Sequence, residues 1–346
     1  VAAEQAPSTL GVMHVENGTD TDKIARTRAY RAGELVAEDF AVAQLSDHLA
    51  DEQTIVWVDL CAPDLSDLKV VAEELGLHEL AVEDAVEHHQ RPKLDHYRTH
   101  DFLSMYAVWL NKETAELESS ELAAFLTPRA LVTVRKDDHF RMQEVVERWD
   151  AASDLAHHRC GFLVYGLIDY VVDGYFGTVQ DLDEEIERLE DLLFEERSPN
   201  NTVQRRSFEL RKSLVKLRRV VLPMREVVNT LMRRDVMAIA HEMMPYYQDV
   251  YDHVLRATEW TESLRDLVTT ILETNLTIQG NRLNIISKQV TSWAAIIAVP
   301  TAITGFYGQN VPYPGFGAVH GFIASTALII FLSGVLYIVF RRKGWL

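Results

Sequence analysis

From Gln289 through Phe340 the chain has no Asp, Glu, Lys or Arg, a run of 52 residues in a sequence of 346 that is one quarter charged. A helix needs about 20 apolar residues to cross the hydrocarbon core of a bilayer, so the run holds two crossings and a connection of roughly a dozen residues. The first span reads as 290–307 and the second as 321–340, with 308–320 between them. Gly308, Pro312, Pro314, Gly315 and Gly317, within GFYGQNVPYPGFG, supply the break, because proline lacks the backbone donor and glycine the stiffness of a continuing helix. Arg282 and Lys288 precede the hairpin and Arg341, Arg342 and Lys343 close it, in a basic tail 341–346. Positive charge marks the cytoplasmic side, so the sequence predicts a multi-pass protein of the cell inner or plasma membrane with both termini inside and the loop outside.

The rest of the chain is polar. All 52 acidic residues precede Gln289, and of the 34 basic residues only Arg341, Arg342 and Lys343 follow it. Such an acidic body argues against a nucleic-acid partner, and reads either as plain solubility or as a vestibule that gathers cations. Two widely spaced cysteines, Cys61 and Cys160, suit a reducing compartment, and no signal-peptide pattern precedes the polar part. Residues 1–20 are small, polar and irregular, as expected of a disordered start. Residues 21–160 read as a cytoplasmic α/β domain, with strands at Thr54–Leu60, Phe102–Leu110 and Ala130–Val134 and helices at Leu65–Leu75 and His78–Glu87.

Residues 161–289 read as long cytoplasmic helices. Val179, Leu182, Ile186, Leu189 and Leu193 form a coiled-coil-like face, and Ser198-Pro199-Asn200-Asn201 turns the chain. Leu210, Leu214, Leu217, Val221 and Val228 then form the returning helix of an antiparallel pair, with Pro223 as a kink. A third pattern runs from Tyr246 to Tyr307, roughly 90 Å at 1.5 Å per residue. Along its end, steps of three and four meet Asn284, Ser287, Thr291, Ala294, Ala298, Thr301, Gly305 and Gly308, all small or polar, opposite Ile285, Ile286, Trp293, Ile296, Ile297 and Phe306. Such a stripe serves either close helix packing or a water-filled path, and the path would satisfy the polar groups of Asn284 and Thr301. Two spans cannot enclose a pore, so a pore-lining role requires several copies.

Tyr307-Gly308-Gln309-Asn310 after a Pro300-containing span, followed by a short loop, a second span and the ending Gly344-Trp345-Leu346, resembles the CorA family of divalent-cation channels, whose signature is Tyr-Gly-Met-Asn. Glu83-Asp84, Gln90-Arg91-Pro92-Lys93, the YGLIDYVVDGYF run from Tyr165, Pro223-Met-Arg-Glu and Gln248-Asp-Val-Tyr-Asp-His253 extend the likeness along nearly the whole chain. The resemblance implies an α+β membrane protein assembled as a funnel-shaped homopentamer that moves Mg2+, and also Co2+ or Ni2+, inward down its gradient. It implies Gly308, Gln309 and Asn310 as the selectivity filter, with Asn310 as the ring that meets the ion, and Asn284, Ser287, Val290, Ala298 and Thr301 as pore-lining positions beside Thr291, Ala294 and Gly305 of the stripe. It further implies Asp84 and Asp249 as carboxylates of neighbouring subunits that share a regulatory intracellular Mg2+, with Glu83 and Asp252 as nearby second ligands. Two departures stand out: Gln309 replaces Met, and the loop carries no acidic residue.

Mg2+ holds its inner waters tightly, so a ring of Asn310 carbonyls accepting hydrogen bonds from that shell selects without stripping it. No Gly-rich loop ending in Lys-Ser/Thr is present, and neither His78-Glu79 nor His241-Glu242 has the second His of a zinc protease, so no enzymatic chemistry is expected. His88, His89, His96 and His100 lie in a charged segment and read as solvated rather than zinc-binding, and His157, His158 and Cys160 likewise form no closed site. A zinc transporter on the same scaffold and a membrane-anchored metal sensor without conduction are the alternative functions.

Overall fold

The computed structural model of the protein describes residues 25–88, 90–194, 200–233, 236, 238–309, 312 and 314–346. Residues 1–20, His89, the Ser198-Pro199 part of the predicted turn and Asn310 lie outside the described residues. The chain divides into two units, one up to Val268 and one from Thr269 to Leu346.

The first unit is built on a seven-stranded sheet of β1 (Ala25–Arg31), β2 (Glu34–Glu38), β3 (Thr54–Cys61), β4 (Lys93–His96), β5 (Asp101–Asn111), β6 (Glu116–Leu126) and β7 (Ala130–Arg135). Their order is β2-β1-β3-β7-β6-β5-β4, with β3–β7 as the parallel pair, Trp57 opposite Leu131, and antiparallel neighbours elsewhere. Period-two alternation in β3 gives each face its own core. Val56, Val58 and Leu60 meet Leu45 of α1 (Leu45–Leu49), Leu68 and Val71 of α2 (Leu65–Leu75) and Ala81 and Ala85 of α3 (Glu79–Val86). On the other face Trp57 meets Trp149 of α4 (Met142–Ala151) edge-on at 5.1 Å. α2 is bounded as the sequence reads it. Asp64 accepts from the backbone of Ser66 and Asp67 in a capping box, and Gly76 takes the left-handed conformation at the end.

α5 (Cys160–Phe194) lies against β5, where the Tyr175 and Thr178 hydroxyls donate to the carbonyls of Tyr106 and Val108. α6 (Asn200–Arg233) lies against β6, and Ser213 donates to the Ala115 carbonyl. Val179, Leu182, Ile186 and Leu189 are buried, as are Leu210, Leu214, Leu217, Val221 and Val228, so the apolar faces read from the spacing are the ones that pack. Pro223 lies inside α6.

α7 (Met244–Tyr307) begins in the first unit and ends in the second, which it shares with α8 (Val319–Arg342). Among the described residues three helices are long and apolar enough to span a bilayer, but their surroundings differ. The most apolar window of α5 is 61% buried by protein, whereas those of α7 and α8 are 6% buried. α5 is therefore a core helix, and α7 and α8 carry the spans, because an unshielded apolar surface of that extent needs lipid or another chain.

Candidate functional site

Asn284, Ser287, Thr291, Ala294, Ala298, Thr301 and Gly305 all fall on the continuous helix α7, and each is exposed, as is Val290. Their polar groups are handled locally. Thr301 donates its hydroxyl to the Ile297 carbonyl at 3.0 Å and Thr304 to that of Pro300 at 2.8 Å, which leaves the oxygen lone pairs free to accept. Pro300 has no N–H to give, so the helix loses one rung there.

The end of this helix explains Gly308. Its backbone N–H donates to the Thr304 carbonyl at 2.8 Å, and a Cβ at this position would lie 2.9 Å from that same oxygen. Gly308 is thus required by a close backbone approach rather than by a left-handed turn, a different role from the turning freedom that its type suggests. Gln309 follows, exposed, with its N–H on the Phe306 carbonyl. Left-handed glycines do occur further on, at Gly315 and Gly317, and Gly321 at the start of α8 lies so near Gly315 that a Cβ there would collide with the Gly315 carbonyl.

The two acidic positions singled out by the resemblance sit in different surroundings. Asp84, on α3, is half-buried and accepts from the Lys93 ammonium at 2.6 Å, and Lys93 also contacts Asp95 at 2.7 Å. Burial opposes the Lys93 charge, but the bonds to Asp84 and Asp95 prevail and raise its pKa. Asp249, on α7, is exposed and lies 4.0 Å from His253 one turn on. Glu83 and Asp252 bracket these positions, and Asp252 accepts from Gln248.

Beside Asp249 is a group that the sequence reading left unassigned. Asp169 and Asp173 of α5 and His253 of α7 each bring one ligand atom within 4.8 Å of the others. Burial, then the charge of Asp173, raises the Asp169 carboxyl above the ordinary range against the pull of Arg148 and His253. The Arg148 guanidinium donates to both acids, at 3.2 Å to Asp169 and 2.7 Å to Asp173. Two carboxylates suit Mg2+, and the added imidazole suits Co2+ or Zn2+ better. The readable signal was spacing: Asp169/Asp173 and Asp249/His253 are i,i+4 pairs, so each pair shares one helix face.

The histidines need a correction. His96 and His100 are not both solvated: His96 contacts Asp101 at 2.7 Å, and His100 is fully buried, stacked on Tyr97 with ring centroids 4.9 Å apart. His88, His96 and His100 enter no group of metal-binding geometry among the described residues, and neither do His157, His158 and Cys160.

Residues 52–342 match the model of the CorA-like Mg2+ transporter protein family. The cobalt/magnesium transport protein CorA of Thermotoga maritima is 31% identical over 299 residues, covering 86% of this chain and 85% of that protein. A putative metal ion transporter of Bacillus subtilis is 32% identical over 84% of this chain and 89% of its own length. Among solved structures, the complete CorA magnesium transporter of Methanocaldococcus jannaschii superposes with a TM-score of 0.75 at 21% identity, covering 93% of this chain and 99% of that one. With this family match over most of its length, and two helices left bare for a bilayer, the chain is a membrane protein belonging to the CorA-like Mg2+ transporter family.

Proposed function

We propose that the chain is one subunit of a homopentameric channel that passes Mg2+, and with it Co2+ or Ni2+, inward down the electrochemical gradient and is closed by intracellular Mg2+. The observation that carries the pore is the stripe on α7. Asn284, Ser287, Thr291, Ala294, Ala298, Thr301 and Gly305 stay exposed in the single chain and lead to Gly308 and Gln309. Five copies turned so that these stripes face one axis make a hydrated path, with Val290 as an apolar narrowing, while Trp293, Ile297 and Phe306 face lipid or neighbours. Asn310 forms the outer ring that reads the hydration shell. Two positive charges gain roughly 4.6 kcal/mol per 100 mV on moving inward, so no other energy source is needed. Both termini lie on the cytoplasmic side in this reading.

Closure is assigned to Asp84 of one subunit and Asp249 of its neighbour, bridged by Mg2+ from the cytoplasm, with Asp169, Asp173 and His253 beside Asp249. Asn310→Ala tests the pore. In liposomes it should reduce Mg2+ influx at least about tenfold, a barrier change of about 1.4 kcal/mol, with assembly size unchanged. Parallel flux of Mg2+, Co2+, Ni2+ and Zn2+ ranks the ions. Influx through Asn310→Ala equal to that of the unmodified protein would remove the filter assignment.

A further inference from the structure

The chain keeps a cation of its own on Asp84 and on the acidic pair beside Asp249. Lys93 sits on Asp84 at 2.6 Å, and Arg148 bridges Asp169 and Asp173. Each has a second resting place. Lys93 already contacts Asp95 at 2.7 Å, and the Arg148 guanidinium lies 4.9 Å from the centre of the Tyr170 ring. Each also has room to move. Lys93 borders a cavity of about 450 Å³ with Arg91, Leu222 and Arg225, and Arg148 borders one of about 560 Å³ with Trp109, Glu144 and Tyr170.

We infer that Lys93 and Arg148 are exchangeable counter-ions, which an incoming divalent cation displaces from the regulatory carboxylates, so that the strength of these tethers sets the Mg2+ concentration at which the channel closes. This rests on the reading of Asp84 as a regulatory ligand. The lone pair that Asp84 gives to the Lys93 ammonium is closed to Mg2+, and the ammonium charge repels a second cation at the same carboxylate, so the metal binds more tightly once the ammonium has moved away. The cost of that move is added to the metal's own binding and moves the midpoint upward. Asp95 works in the opposite direction: by holding the Lys93 ammonium after release, it lowers the cost of exchange.

The opposite signs give the test, made on the full-length assembled protein with Mg2+ alone as the probe, by chymotrypsin protection across an internal Mg2+ titration. Lys93→Gln should lower the half-protecting concentration about threefold, the size expected from losing one partly exposed ion pair. Asp95→Asn should raise it about twofold, and Lys93→Arg should leave it near that of the unmodified protein. Arg148→Gln should lower it as Lys93→Gln does. Arg91→Gln removes a neighbouring charge that does not contact Asp84, and should shift the midpoint less than Lys93→Gln. Equal shifts from Arg91→Gln and Lys93→Gln would reduce the effect to a general field and overturn the exchange. So would Asp95→Asn and Lys93→Gln moving the same way. Asp95 is half-buried on the edge strand β4, so Asp95→Asn alone decides the sign if Lys93→Gln does not assemble. Asp84→Asn separates the two readings: an unchanged response there removes both the ligand and the exchange, whereas a lost response alongside unmoved Lys93→Gln and Asp95→Asn midpoints removes only the exchange.

Discussion

At the scale of single residues, His100 shows how far side-chain type misleads. Its neighbours in sequence are charged, yet it is buried between Tyr97 and Phe125, its Nδ1 meets the Thr99 hydroxyl at 3.0 Å, and its Nε2 has no hydrogen-bond partner. Burial lowers its pKa below the ordinary 6.5; Asp101 pulls it up, and His78 and His96 push it further down. The unfolded chain therefore takes up the proton first. Stability from this residue is complete above pH 6.5 and is lost as pH falls from there through the depressed folded value. His100→Phe keeps a ring against Tyr97 and Phe125 but cannot titrate, so thermal melts between pH 8 and 5 should show a shallower acid loss than for the unmodified protein. Parallel slopes would place the acid sensitivity elsewhere. Asp169 and Asp173 were legible as an i,i+4 pair. Lys93 was not legible as their counterpart at Asp84, because only the pairing of β4 with β5 and the docking of α3 bring a residue nine positions away within 2.6 Å.

At the scale of elements, helices were easier to read than strands. α2 was read to the residue, and the apolar faces of α5 and α6 followed from spacing alone. β6 escaped because ELESSELAAFL is rich in residues that favour helices, and it becomes a strand only by lying between β5 and β7, where context outweighs propensity. β1 hid behind its arginines. Arg28 is buried there because Glu38, at 2.6 Å, and Asp150, at 3.0 Å, satisfy it, and both partners lie on other elements. The end of α7 gives a prediction of its own. Gly308→Ala sets a Cβ against the Thr304 carbonyl at 2.9 Å, a contact that can be relieved only by moving backbone. Influx should fall at least about tenfold, with expression and oligomer size retained. Gly177→Ala on the exposed side of α5 meets nothing within 4 Å and should raise the melting temperature, helix interiors gaining up to about 1 kcal/mol from this change. Influx unchanged in Gly308→Ala would show that the filter tolerates a shifted helix end.

At the scale of the whole molecule, the two membrane helices are incomplete in one chain. Leu283, Ile285, Ile286, Val290, Trp293, Ile297 and Phe306 on α7, and Phe322, Ile330 and Phe331 on α8, are all exposed. Lipid can cover the apolar residues, but it offers no hydrogen-bond partner to Thr291 and Thr301, which share one face within the span. The sequence made this conflict visible through the 52 uncharged residues and the three-four spacing. The number of copies was not visible, since a stripe fixes which face turns inward but not the angle between neighbours. In the proposed assembly, position 298 faces the axis and position 297, one residue away and about 100° round the helix, faces outward. Both native cysteines are at least half-buried, Cys160 completely, so an introduced thiol can be followed against a low background. Ala298→Cys should form disulfides between subunits under mild oxidation, and its influx should be blocked by a small, membrane-impermeant thiol reagent. Ile297→Cys should do neither, while assembling and conducting normally. The reagent enters the path from water, so block at 298 with protection at 297 requires a hydrated axis bounded by this face of α7. If thiols at the two positions react alike, or only that at 297 is blocked, the stripe is a packing surface and the pore must be sought on another face of the helix.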